Sequence, residues 1–290
     1  MISEKDEGRH PPGAGNLWNE SYYFNFYDSQ AQIGGFTRIG LQENINKSNV
    51  WCLLIKDGKP AYNRFILELP HTEAGMNQGV TVGGLTYRVL EPLKRFKIEF
   101  KDRDTQLDLT WEAVHLVKEI GEKQGELPNN IASAHYEQGG RVEGTVTIKG
   151  KSSSIKGFGM RDHSWGIRDW EGVKNWMAMW PIFSKELLIA AIRITLLNDN
   201  IIQTGFVFDG NENIDVVEVK PIVELTEDGL TQKKLNLQVV DKKGERREMT
   251  GKLVANFPLP YDGNILNEAL FEYRLGNKIG YGIFEYNVRL

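Results

Sequence analysis

The feature that most constrains this chain is an alternation of polar and apolar residues with a period of two, which runs through most of its 290 residues. Such alternation is typical of strands that bury one face of a sheet. Dipeptides that favour hairpin turns, such as Asp57-Gly58 and Asp228-Gly229, separate the alternating stretches. The pattern therefore predicts many short antiparallel strands, with turns at intervals of roughly 8–12 residues.

The fold class that follows is all-β, with two antiparallel β-barrel or sandwich domains. Because helical patterns do not alternate with the strands, the sequence argues against a parallel α/β sheet. Alternation stops over residues 121–133 (GEKQGELPNNIAS), where Gly, Pro and Asn accumulate. We therefore predict an N-terminal domain over 15–128 and a C-terminal domain over 129–290, each long enough for a barrel of roughly eight strands. Only residues 264–270 and 20–28 carry a spacing that suggests a helix.

The charge and composition of the chain argue against some classes of binding partner. The chain has 35 Lys and Arg against 39 Asp and Glu, a formal charge of -4, and no long run of either sign. This argues against nucleic acid as a partner. The opening residues lack an apolar signal region, and no stretch approaches the roughly 18 apolar residues that cross a bilayer. We expect a cytoplasmic protein without a membrane segment, in which Cys52, among apolar neighbours, is a buried and inert thiol.

The most informative stretch for chemistry is GFGMRDHSWGIRDW, which begins at Gly157. On a strand, the period of two places Gly157, Gly159, Arg161, His163 and Trp165 on one face. Two positions without a side chain, followed by a cation, an imidazole and an indole, suit a wall that faces a ligand, whereas a filled core would carry Val, Ile or Leu. We therefore expect this face to line an open chamber.

Alternatives remain for the side chains of this stretch. Asp162 lies on the opposite face and favours a structural interpretation, and His163 is a core histidine, an acid/base group or a metal ligand. The five histidines are never closer than 20 residues in the sequence, and none has a ligand-like spacing, so we predict no metal site. A buried Arg161 needs a carboxylate. The candidates are Glu112, Glu137, Asp169 and Glu285.

Two other stretches are rich in aromatic residues: one covers residues 18–27 (WNESYYFNFY), and the other contains Trp176-Met177-Ala178-Met179-Trp180. On a strand, the two tryptophans share one face and the two methionines share the other, so only one set can face a given cavity. Flat aromatic side chains suit a hydrophobic pocket, although such residues more often belong to a core.

The run RDHSWG over residues 161–166, with the Trp-rich strand after it, resembles the Asp-His-x-Trp signature of the calycin-like superfamily, which includes the carotenoid 1,2-hydratases and the AttH-type proteins. The segments HYEQ over 135–138 and GYGIFE over 280–285 resemble a bacterial branch of that superfamily. The resemblance implies two lipocalin-like β-barrel domains with a hydrophobic ligand site near their junction, and no bound cofactor. By position, His163 and Trp165 correspond to the hydratase motif residues. The chain departs from the hydratases at residues 189–193, IAAIR, where the resemblance would require a Tyr-x-Asp pair.

These observations predict a cofactor-independent enzyme that acts on a lipophilic, isoprenoid- or polyketide-like small molecule by acid–base catalysis, as a hydratase or dehydratase, an isomerase or a cyclase. The expected catalytic residues are His163, Asp169, Glu137 and Arg161, and the expected ligand-binding residues are Trp165, Trp176, Trp180, Gly157, Gly159 and Glu285. One alternative is a non-catalytic carrier or sensor of hydrophobic ligands, which needs the cavity but no titrating group. A third is a pericyclase, for which shape and one hydrogen-bond donor suffice.

Overall fold

The protein, in a computed structural model, is described over residues 2–120, 132–261 and 263–290. Within these ranges nearly all regular structure is strand, and the helical content consists of three short 3-10 turns, at Glu4–Glu7, Glu43–Ile45 and Met76–Gln78. The prediction of an all-β fold is confirmed. The strands are β1 (Trp18–Asp28), β2 (Ile33–Gln42), β3 (Lys47–Lys56), β4 (Lys59–Pro70), β5 (Val80–Val82), β6 (Leu85–Glu91), β7 (Arg95–Asp102), β8 (Thr105–Ala113), β9 (Lys118–Glu119), β10 (Ala134–Ile148), β11 (Lys151–Ile167), β12 (Val173–Met179), β13 (Ile182–Ser184), β14 (Leu187–Leu196), β15 (Ile201–Phe208), β16 (Asn213–Leu225), β17 (Gln232–Asp241), β18 (Arg246–Tyr261), β19 (Asn264–Leu275) and β20 (Lys278–Arg289).

The two helix predictions are wrong, because residues 264–270 belong to β19 and residues 20–28 to β1. Both strands are buried along most of their length on both faces. A strand that is buried on both faces carries apolar residues at consecutive positions, which removes the period of two and can mimic a helical spacing.

The chain divides into two compact units, one ending at Asp169 and the other beginning at Trp170. In the first unit the strands follow the order β4-β3-β2-β1-β11-β10-β8-β7-β6-β5, with β9 on β10. In the second unit the order is β12-β14-β13-β20-β19-β18-β17-β16-β15, and β14 also pairs with β15. Both sheets are antiparallel and barrel-shaped, as a lipocalin-like architecture requires.

The boundary between the units differs from the predicted one at 128/129. Strands β10 and β11, which that prediction assigned to the second domain, pair with β8 and β1 of the first sheet. Most of the predicted linker, residues 121–131, lies outside the described residues. A run of Gly, Pro and Asn marks a loop, but it does not tell whether the chain then returns to the same sheet.

Each unit has its own apolar core. Phe24, Tyr87, Phe96 and Trp111 pack as aromatic neighbours inside the first, and a separate cluster that includes Phe271 and Phe284 fills the second. Cys52 is fully buried, and burial raises the pKa of its thiol. Among the helices of the described ranges, none has the length and apolarity to cross a bilayer.

Candidate functional site

The motif stretch lies on β11, in the middle of the first sheet, between β1 and β10. The register opposes His163 to Tyr22 on one side and to Tyr136 on the other. Residues that oppose each other across an antiparallel pair share a face, and so do residues two apart on a strand. Arg161, His163 and Trp165 therefore share the face that carries the core residues Tyr22 and Phe24.

Arg161 is 1% exposed, and its guanidinium is paired within the first unit. Nη1 and Nη2 donate to the two carboxylate oxygens of Glu7, at 3.1 and 2.7 Å, and Nε donates to Oε1 of Gln138 at 2.9 Å. The cation also lies 4.1 Å from the ring centroid of Phe96 and 5.2 Å from that of Tyr136. A bidentate carboxylate and aromatic faces are what a buried guanidinium needs.

The carboxylate that pairs with Arg161 comes from outside the predicted candidates. Sequence reasoning offered residues 112, 137, 169 and 285, but the structure uses Glu7, the last residue of the first 3-10 turn. Nothing in a strongly charged stretch such as Glu4–Glu7 indicates that one of its carboxylates is buried, since charged residues are mostly exposed.

His163 is fully buried and held at both ring nitrogens. Its Nδ1 lies 2.9 Å from the hydroxyl of Tyr136, and its Nε2 lies 3.0 Å from Oε1 of Glu20. The same Oε1 lies 2.7 Å from Nδ1 of His10, and the His10 ring stacks on Trp165 with centroids 3.6 Å apart and planes inclined by 9°. Burial acts to raise the pKa of Glu20, but hydrogen bonds from the two imidazoles outweigh it and lower that pKa.

The expectation of an open chamber in front of this face is therefore corrected. Glu7 and His10 belong to the segment before β1, and they occupy the space that the sequence analysis reserved for a ligand. Arg161 and His163 have 1% and 0% exposure and are satisfied by protein groups. As long as this segment is in place, the two side chains cannot touch a substrate.

The glycines upstream do not hold space open either. A Cβ on Gly157 would lie 2.2 Å from the carbonyl oxygen of Tyr27, and one on Gly159 would lie 1.8 Å from that of Asn25. Both distances are far inside van der Waals contact, so these glycines allow β1 and β11 to approach closely. The Asn25 side chain joins the two strands by accepting the N–H of Met160 at 2.9 Å.

The opposite face of the same strands carries a second group, which we call the outer polar cluster. Its members alternate with the residues described above and oppose one another across β10, β11, β1 and β2. They are His135, Glu137, Asp162, Ser164, Ser21, Tyr23 and Arg38. Glu137 and Ser164 are 1% exposed, while the His135 side chain keeps 18% of its surface accessible.

Within the outer polar cluster, Nε2 of His135 lies 3.4 Å from Oε1 of Glu137. Burial acts to lower the pKa of His135, but its contact with Glu137 and the charges of Asp162 and Glu137 raise it on balance. The pKa of Asp162 is also raised, chiefly by burial and further by Glu137, against the opposing effect of His135. A shielded imidazole beside carboxyl groups is the combination that proton transfer uses.

The other predicted site residues lie elsewhere. Asp169 is half-buried at the end of the first unit. In the second unit, the indole N–H of Trp176 donates to Oε1 of Glu285, and Trp170 stacks on Trp176 with centroids 4.5 Å apart. Trp180 is 5% exposed. Met179 belongs to the core of that unit and Met177 packs against it, so the methionine and tryptophan faces separate as the alternation indicated.

Sequence reasoning missed five residues of these two faces. Glu20 stood in a segment noted only for its aromatic residues and a helical spacing, and His135 and Tyr136 stood in the segment HYEQ, noted only for the family resemblance. A glutamate inside the aromatic run of β1 is a usable signal, because a strand buried on both faces tolerates a carboxylate only where partners await it. The residues missed are Glu7, His10, Glu20, His135 and Tyr136.

The family model described as a domain of unknown function, DUF7064, matches residues 3–289. The chain belongs to this family. A search of curated proteins finds no match.

Among the solved structures that match this member of the DUF7064 family over almost its whole length are those of three proteins. An AttH-type protein from Nitrosomonas europaea has a TM-score of 0.65 and 15% identity, and the match covers 96% of this chain and 95% of that one. Kievitone hydratase from Nectria haematococca has a TM-score of 0.67 and 12% identity, with 100% and 93% covered. CghA has a TM-score of 0.68 and 10% identity, with 98% and 94% covered, and it has also been solved with Sch210972. At these identities the similarity shows the fold, which confirms the calycin-like architecture.

Proposed function

We propose that this protein is an enzyme that acts on a lipophilic small molecule by acid–base chemistry, with His135 and Glu137 as the pair that moves the proton. The observation that carries the proposal is the shielded imidazole–carboxylate contact of the outer polar cluster, 3.4 Å from Nε2 of His135 to Oε1 of Glu137. Of the catalytic residues predicted from the sequence, Glu137 keeps its role in this proposal. A catalytic role for Asp169 stays a prediction. Arg161 and His163 become residues that hold the segment before β1.

The raised pKa of His135 favours its protonated form closer to neutral pH than an ordinary imidazole allows. A protonated imidazole can give its proton to an alkene carbon or to a leaving hydroxyl. Glu137, with its carboxylate withdrawn from bulk water, can take the proton of an incoming water molecule in the hydration direction. His135 gives one proton and Glu137 takes one, so a water molecule is added across a double bond, or removed in the reverse reaction. Transfer of the proton from Glu137 back to His135, across their 3.4 Å contact, then restores the starting protonation of the pair.

The fold supports the lipophilic class of substrate. One structure of the same fold is by name a hydratase, which acts on kievitone. Hydration, isomerisation and cyclisation all lie within this proposal, with hydration as the first to test.

The test uses the purified protein with the organic-solvent extract of the cells that express it and, as a defined probe, kievitone. Reactions run in water labelled with heavy oxygen, and mass spectrometry follows compounds that gain or lose one water. We expect conversion by the wild type and a fall of at least about 100-fold in His135→Gln and in Glu137→Gln. The control is His71→Gln, on a half-buried histidine outside both faces of the site.

Two results would contradict the proposal. Conversion that persists in both variants would remove His135 and Glu137 from the chemistry. Retention of the same extracted ligand by wild type and variants, without any conversion, would instead support the carrier hypothesis, since a carrier needs the ligand surface but no titrating pair.

A further inference from the structure

We propose that His10, Glu20 and His163 form a binding site for a divalent transition-metal ion of the Zn²⁺ class. One ligand atom from each of the three side chains lies within 4.8 Å of the others. Two imidazoles and one carboxylate form a donor set that suits Zn²⁺ and its neighbours in the first transition series. The sequence analysis predicted no metal site, so this inference replaces that expectation.

The geometry of the three ligand atoms fits one ion. Oε1 of Glu20 lies 2.7 Å from Nδ1 of His10 and 3.0 Å from Nε2 of His163. Ligand atoms about 2.0–2.1 Å from a tetrahedral Zn²⁺ are separated by little more than 3 Å, so small side-chain movements suffice. The ion would replace the protons that now join the carboxylate to the imidazoles, as metal binding to histidine generally does.

Groups outside the three ligands hold them in position. The hydroxyl of Tyr136 contacts Nδ1 of His163 at 2.9 Å, which directs Nε2 of that ring toward Glu20. Oδ1 of Asp6 lies 3.6 Å from Nε2 of His10, the nitrogen that is not a ligand. Trp165 fixes the plane of the His10 ring by stacking. Histidines that bind metals usually have such partners on their second nitrogen.

Charge and access also favour a cation. Glu20 and Asp6 bring two carboxylates next to the two imidazoles, so a divalent ion balances their negative charge. Glu20 is 2% exposed, but the His10 side chain keeps 17% of its surface accessible, which leaves a path from solvent. Once bound, the ion would link the segment before β1 to two strands of the first sheet.

The experiment starts from full-length protein treated with a chelator and dialysed. Zn²⁺ is added in a calorimetric titration, and Co²⁺ is added in parallel because four-coordinate Co²⁺ absorbs strongly in the visible range. We expect one ion per chain, and a higher melting temperature with Zn²⁺ because the ion binds the folded chain. The variants are His10→Gln, on a partly accessible side chain of the segment before β1, and Glu20→Gln, with His71→Gln as the matched histidine control.

The proposal predicts that His10→Gln and Glu20→Gln each weaken Zn²⁺ binding by more than about tenfold, while His71→Gln leaves it unchanged. Tyr136→Phe, which removes a positioning group but no ligand, should weaken it by about tenfold. If near-ultraviolet circular dichroism shows that Glu20→Gln does not fold, Zn²⁺ binding by His10→Gln is the measurement that tests the proposal. Binding that is unaffected by His10→Gln, or an absence of measurable one-to-one binding, would overturn the proposal, and the three residues would then be a hydrogen-bonded cluster alone.

Discussion

Arg161 shows how one residue takes its role from partners that are distant in the sequence. Its guanidinium is in contact with Glu7, which lies 154 positions away. The alternation of β11 was enough to place Arg161, His163 and Trp165 on one face, and the requirement for a carboxylate was also sound. The identity of that carboxylate depends on where the segment before β1 folds, which no local pattern records.

His115 offers a residue-scale prediction on pH. Its Nδ1 donates to the carbonyl of Leu116 at 2.6 Å and its Nε2 accepts the N–H of Gly139 at 2.8 Å, so the ring is neutral when both bonds are present. Burial is the main cause that lowers the pKa of His115 from 6.5 to about 4. The unfolded chain therefore takes up this proton first as the pH falls.

From this difference we expect the free energy of unfolding to fall between about pH 6.5 and 4, with His115 contributing up to about 3 kcal/mol of that loss. Urea unfolding of wild type and His115→Gln at several pH values measures it. As the pH falls through this range, the free energy of unfolding should decrease less in His115→Gln than in the wild type. Parallel curves for the two proteins over this range would contradict the assignment of a neutral buried ring.

Gly159 supports a second prediction at this scale. Because a Cβ there would meet the carbonyl oxygen of Asn25 at 1.8 Å, Gly159→Ala forces β1 and β11 apart. We expect a loss of more than about 2 kcal/mol in the free energy of unfolding. The control is Gly172→Ala, where a Cβ would meet nothing within 4 Å and the change should stay within about 0.5 kcal/mol. Equal stability of the two variants, measured by urea unfolding, would show that the close approach of the strands is not required.

Among the structural elements, the segment before β1 is the one whose contacts with buried groups could not be predicted from the sequence. It is polar, contains a 3-10 turn over Glu4–Glu7, and resembles an exposed terminus. Its contacts are nevertheless with buried groups, through Glu7 on Arg161 and His10 on Glu20. The strands themselves were largely predictable from alternation and turn residues, except where both faces are buried, as in β1 and β19.

The Glu7–Arg161 pair gives this segment a testable energetic role. Glu7→Leu leaves the guanidinium buried without its carboxylate, which should cost about 3–5 kcal/mol in urea unfolding. The double variant Glu7→Leu with Arg161→Met removes both charges and should recover part of that loss. As a control, Glu99→Gln breaks an exposed contact with Arg88 and should cost less than about 1 kcal/mol. A cost of Glu7→Leu no larger than that of the control would contradict the account of the pair.

For the molecule as a whole, the strand pairing determines which fragments of the chain contain every strand of a sheet. Residues up to 128 contain β1 and β8 but lack β11 and β10, which pair with them. Residues up to 169 contain the entire first sheet. Edge strands left without partners expose their backbone groups and promote aggregation.

We therefore predict that a fragment of residues 1–169 folds cooperatively, whereas a fragment of residues 1–128 remains unfolded or aggregates. Near-ultraviolet circular dichroism and amide dispersion in NMR spectra measure the difference. A native-like spectrum from residues 1–128 would support the boundary that the composition of 121–133 suggested and contradict the one drawn from strand pairing.

The two-barrel architecture was thus predictable as a class, because alternation and turn chemistry are local and the motif resemblance points to the same fold. The domain boundary and the composition of the sites were not predictable in this way. The domain boundary depends on which strands pair over long sequence separations, such as Trp18 with Ile167. The composition of the sites depends on the same pairing, which sets Glu137 opposite Asp162 on one face of the sheet and His163 beside Glu20 on the other.

The proposed function depends most directly on the protonation of His135, which a single NMR titration of the histidine rings can measure in wild type and Glu137→Gln. We expect His135 in the wild type to titrate above the ordinary value of 6.5 and its pKa to fall in the variant, because the contact with Glu137 and its negative charge favour the imidazolium. A wild-type His135 that titrates below 6.5, or a pKa that does not respond to Glu137→Gln, would contradict the assignment of this pair as the proton-transfer groups.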